Sequence, residues 1–272
     1  MKRLLRLSVL IGLVGVGSVT FAQKAEKQGA MGCNDNWSSE RLMSHCEIRE
    51  QTLPATGMIT VDARKNGGVS VKGGDRNDVL VRARVQAMAP TQAEADALAK
   101  QINVQTGGAK IYADGPENRK DYHWSVSYEI LVPRRIDLSL EAHNGGIVIA
   151  DVTGQLSFKA LNGGVVLRRV GGSVRGGTTN GGLVVELSGD RWDGEVLDVK
   201  TTNGGIVMSV PENYSAHLET GTVNGNLSID FPVTVQGRIS RELAVDLGSG
   251  GATVRAMTTN GGVKIKRVSF SN

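Results

Sequence analysis

Aromatic side chains are scarce in this 272-residue chain: three Trp, four Tyr and four Phe, 4% in all. A core with so few rings must be filled by small aliphatic residues, which suits thin β-layers better than a bulky α/β core. Cysteine is nearly absent. The two present, Cys33 and Cys46, form no Cys-x-x-Cys pair, and only His45 is nearby, which argues against zinc. The four histidines, His45, His123, His143 and His217, lack metal-ligand spacing, and no His-Glu-x-x-His occurs. A Gly-x-Ser-x-Gly elbow, a phosphate loop and a dinucleotide fingerprint are all missing. Asp75-Arg76-Asn77-Asp78 has an interleaved Arg and no sixth-position Gly, so it reads as a turn rather than a calcium loop. The sequence therefore calls for no catalytic residue, no metal and no cofactor. The rival to a non-enzyme is a carbohydrate-active enzyme on a β-helix, but such enzymes carry aromatic platforms, and Trp37, Trp124 and Trp192 lie far apart.

What is present begins with an export signal. Lys2, Arg3 and Arg6 precede an apolar or small run from Leu7 to Phe21, and Thr20-Phe21-Ala22 offers a small-residue cleavage site after Ala22. Residues 1–22 read as a signal peptide, leaving no integral membrane segment after cleavage. The net charge of +4 includes the three leader cations, so the remainder carries +1 and its basic pI is no evidence for nucleic acid. In an exported chain, an even pair of cysteines 13 residues apart reads as one disulfide, Cys33 to Cys46.

Glycine is abundant, at 36 residues, and it is ordered. Asn-Gly-Gly occurs at Asn66, Asn144, Asn162, Asn180, Asn203 and Asn260, with Asn224-Gly225-Asn226 as a variant. A near-fixed period through half the chain is a repeat signature. After each bend comes aliphatic-x-aliphatic, as in Ile147-Val148-Ile149 and Val165-Val166-Leu167. Before it, Leu138, Leu140 and Ala142 alternate with polar residues, the period of a half-buried strand. Gly, and to a lesser degree Asn, tolerates positive φ, which accounts for the bends; in stacked units the Asn side chains fall into register as a ladder.

The expected fold is all-β: a parallel β-solenoid of about 18–23-residue units with Asn-Gly-Gly bends, an irregular β-rich start and one short helix. An antiparallel hairpin meander is the alternative. The expected organisation is a signal peptide over 1–22, a polar entry segment with the Cys pair over 23–46, an irregular β-rich start or cap over 47–140 with the helix near 90–104, and regular repeats over 141–272. The middle residues of the post-bend strands, Val148, Val166, Val184 and Val207, point outward. They form either a partner stripe or a face covered by the helix.

The Asn-Gly-Gly-aliphatic-x-aliphatic units, following a leader and an irregular β-rich start, resemble the bacterial putative-adhesin domain-of-unknown-function family of β-strand repeat proteins, over about residues 55–268. The resemblance implies a β-solenoid-like fold and an envelope or surface location, and it carries over no functional residues. The chain departs from simpler members in its Cys33/Cys46 segment and in the Pro90 to Val104 insertion. The function expected is that of a non-enzymatic exported protein, periplasmic, surface-bound or secreted, presenting a repetitive β-surface for adhesion or scaffolding. Its expected partner is a protein or glycan of the envelope; a self-assembling scaffold is the further alternative.

Overall fold

The computed structural model describes residues 31–33, 41–230 and 241–269. The leader, its cleavage point and Trp37 lie outside them. Numbered in chain order, the first sheet runs β1 (Met43–Pro54), β4 (Asp78–Ala89), β7 (His123–Pro133), β3 (Val69–Gly74), β9 (Ile147–Ala150), β11 (Val165–Arg168), β13 (Leu183–Glu186), β15 (Ile206–Pro211), β20 (Val263–Val268) and β17 (Leu227–Ile229). The second runs β18 (Glu242–Leu247), β16 (Ala216–Asn224), β19 (Thr253–Asn260), β14 (Val196–Asn203), β12 (Gly171–Asn180), β10 (Thr153–Asn162), β8 (Asp137–Asn144), β2 (Met58–Asp62), β6 (Lys110–Asp114) and β5 (Asn103–Gln105).

The alternation of apolar and polar residues makes one face of every strand seek cover. Leu138, Leu156, Val174, Leu197 and Val254 form an inward row on the second sheet. Ile147, Val165, Leu183, Ile206 and Val263 form the matching row on the first. Both rows belong to one hydrophobic cluster, and each such side chain contributes roughly 1.5–3 kcal/mol by leaving water. Size is matched across strands: Phe158 lies beside Gly176, whose Cβ would fall 2.7 Å from the ring.

The expected solenoid is corrected: the fold is a sandwich-like pair of ten-stranded mixed sheets. β1, β4 and β7 pair antiparallel, as do β5 with β6 and β16 with β18. Nor does the chain climb strand by strand, since β19 enters between β14 and β16, and β20 between β15 and β17. The hairpin meander is not found either, because β8 and β9, joined by an Asn-Gly-Gly bend, lie in different sheets. The physical reason is that a period of two fixes the buried face of a strand. It does not fix the direction or identity of its neighbour.

One helix, α1 (Gln92–Lys100), is set by a capping box in which the Thr91 side chain accepts from Glu94 N and the Glu94 carboxylate accepts from Thr91 N. It buries Ala95, Leu98 and Ala99 against β4 and β1. Arg49 of β1 caps its far end, donating to the carbonyls of Ile102 at 2.5 Å and Ala99 at 3.0 Å.

Candidate functional site

The Asn residues form one ladder, in the spatial order 66, 144, 162, 180, 203, 260, 224. Each amide Nδ2 donates to the preceding Oδ1 at 2.8–3.1 Å. None of these residues has positive φ, and neither do Gly145, Gly163, Gly181 and Gly204. The left-handed explanation of the bends is therefore corrected. These glycines are required by close approach: a Cβ at Gly163, Gly181 or Gly204 would lie 2.1 Å from the carbonyl oxygen of Gly145, Gly163 or Gly181. Glycine carbonyls of this row from Gly163 onward are satisfied from inside. The Thr178, Thr201 and Thr258 hydroxyls donate to Gly163, Gly181 and Gly204 oxygens, and Thr222 to that of Gly261, all at 2.8 Å. These threonines are at most 5% exposed. Sequence reasoning missed them, although Thr two positions before Asn was a readable signal.

Val148, Val166, Val184 and Val207 stand in register on the outer face of the first sheet, each half-buried. The expected cover does not reach them. The helix meets Arg49, whereas the Val row continues through Glu129 and Arg82 to Glu50, and neighbouring positions on a strand face opposite ways. At that end Arg82 binds Glu50 at 2.7 Å and Glu129 at 3.3 Å, bonds that raise its pKa. At the other end stands Lys264.

The outer face of the second sheet is polar. Gly176 lies in a hollow of about 400 Å³ between Lys159, Arg175, Asp198 and Lys200. A neighbouring hollow is walled by Asp62, Glu141, His143 and Lys159.

No reactive cluster forms on the histidines. His45 lies 2.8 Å from Asp96 and 3.7 Å from Glu47. His217 Nδ1 is 2.7 Å from Asp246, while its Nε2 faces Glu219 at 3.6 Å rather than a hydroxyl, so it activates no nucleophile. Asp75 and Asp78 are taken up by Arg134 and Arg76. Cys33 and Cys46 form the disulfide, with Cα atoms 5.7 Å apart. Among the described residues no group of three or more His, Cys, Asp or Glu gathers to hold a metal, and no helix is long and apolar enough to cross a membrane.

No family model matches the chain, and no curated protein sequence matches it. Its structural neighbours include bacterial putative adhesins and a putative lipid binding protein from Parabacteroides distasonis. A putative cell adhesion protein from Clostridium sporogenes is similar at TM-score 0.41 and 12% identity, over 83% of this chain and all of that one. A putative adhesin from Bacteroides fragilis is similar at TM-score 0.28 and 11% identity, over 85% of this chain and 98% of that one. One from Parabacteroides merdae is similar at 0.33 and 12%, over 82% and 96%.

Proposed function

We propose that this chain is an exported, non-enzymatic envelope protein presenting a repetitive β-surface for adhesion or scaffolding, with a protein or glycan of the envelope as its partner. The observation that carries the reading is the in-register, half-buried Val148–Val166–Val184–Val207 column, flanked by charge at both ends. A flat sheet face with aligned apolar residues suits a partner that is itself extended. The remaining parts of the reading are a leader over 1–22, an entry segment over 23–46 fastened by the disulfide, a cap over 47–140 and the presenting repeats over 141–272.

Beads coated with residues 23–272 test this by their retention on envelope fractions of the producing cell. Val166→Lys with Val184→Lys should lower retention severalfold at unchanged melting temperature. Retention of wild-type beads no greater than that of blank beads would end the proposal. N-terminal sequencing of the exported protein should begin at Gln23.

A further inference from the structure

A cavity with no assigned role lies where the Asn ladder begins. Trp124, the second residue of β7, shares the inward row of Val126 and Tyr128. The loop after β6 folds over this end. Gly115 lies so close to the indole that a Cβ there would be 3.0 Å from Cε2 and Cζ2. The indole Nε1 donates to the Pro116 carbonyl at 2.6 Å, and Trp124 N donates to Asn118 Oδ1 at 3.0 Å. Facing them, the bend Arg64-Lys65-Asn66 closes a cavity of about 270 Å³.

Its polar groups are held in place. Arg64 has φ 53°, and its guanidinium lies 4.7 Å over the Tyr112 ring and 3.3 Å from Asp114. Asn66 ends the ladder: its Oδ1 accepts from Asn144, and no described residue takes a hydrogen bond from its Nδ2.

We propose that this cavity receives the terminal residue of a neutral glycan chain, a site separate from the Val column that goes beyond the function proposed above. The floor, Ala113 and Trp124, is apolar and suits the C–H face of a sugar ring. The rim supplies an amide, a guanidinium and carboxylates for hydroxyl groups. Arg64 and Lys65 are balanced by Asp114 and Glu117, so nothing is left over to hold a phosphate or a cation. The cavity is at the small end of ligand sites, as suits a single sugar ring. The exit is continuous. The cavity shares Arg64 and Lys65 with the hollow beside Glu141 and Lys159, which in turn meets the Gly176 hollow. A chain of sugars would leave along the outer face of the second sheet.

The test is an array of neutral, uronic-acid and sulfated oligosaccharides probed with the purified chain, followed by calorimetric titration of the tightest neutral binder. Trp124→Phe and Asn66→Ala should each weaken binding roughly tenfold, and Gly107→Ala, in open space before β6, should leave it unchanged. If Trp124→Phe does not fold, the exposed rim changes Lys65→Ala and Glu117→Ala carry the test, with the same direction expected. The inference is overturned if no neutral oligosaccharide binds, if sulfated ones are preferred, or if the rim variants bind as wild type does. A chain that binds no glycan, yet loses bead retention through Val166→Lys, would overturn this inference and leave the proposed function standing. Loss of both would remove the two together.

Discussion

The rungs, meaning the strands on either side of each Asn-Gly-Gly bend from β8 to β20, and the N-terminal wing of β1, β4, β7 and α1 are both β-rich, yet different forces fix their residues. In the rungs the constraint comes from backbone. A glycine carbonyl sits over the next glycine, is satisfied by a threonine from below, and is flanked by the Asn ladder. In the wing the constraint comes from side chains. Arg82 is held between two glutamates, Arg49 caps the helix, and a disulfide ties the entry segment to β1. Residue identity in the rungs is thus dictated by sterics, while the wing depends on pairings that other residues could replace.

The sharpest way to break that contrast is a single methyl group. Gly181→Ala places a Cβ 2.1 Å from the Gly163 oxygen and should cost about 3 kcal/mol or more, since neither backbone can move without its neighbours. Gly107→Ala, in open space before β6, should stay within about 0.5 kcal/mol. Urea midpoints of the two variants compare them; similar midpoints would erase the distinction. Next in size is reduction of Cys33–Cys46. The bond closes a loop of 13 residues, and losing it should cost about 2–3 kcal/mol through the unfolded chain. Hydrogen exchange after reduction should rise in β1 and β4 and remain protected in β11 and β13.

That contrast also accounts for what could be read from the sequence. The buried faces were legible, because Leu138, Leu140 and Ala142 alternate with polar neighbours and only one face of such a strand can be inside. The order of strands was not legible. Leu197 with Val199, Leu218 with Thr220 and Val254 with Ala256 carry the same phase, so nothing in the pattern says that β19 enters between β14 and β16. The glycines were visible as bends but carried the wrong reason, since close approach and positive φ select the same residue. The cavity at Trp124 was hidden because it joins residues 64–66, 113–118 and 124, which only the pairing of β2 with β6 and of β3 with β7 brings together.

Two smaller effects sharpen the comparison from within the rungs. Thr201→Val keeps the shape and removes the hydroxyl that donates to the Gly181 oxygen. A buried carbonyl left without its donor should cost about 1–2 kcal/mol, measurable as a lower urea midpoint; an unchanged midpoint would make the threonine row incidental. The smallest effect tests whether charge contributes to the rungs at all. Asp151 and Arg169 occupy the bends that follow β9 and β11, both at positive φ, and pair through two bonds of 2.6 and 2.9 Å. The Arg169 guanidinium holds the Asp151 carboxyl below the usual carboxylate range. A folded-state pKa lower than the unfolded one contributes stability that is complete above the unfolded value, about 3.9, and is lost as pH falls through the folded value. Asn accepts the same backbone conformation, so Asp151→Asn isolates the charge. The variant should be less stable than wild type by no more than about 1 kcal/mol, with a constant gap from pH 5 to 8 that closes in acid below pH 4. A gap that persisted in acid would mean that geometry, not charge, holds that bend, and would place it with the glycines rather than with the ion pairs of the wing.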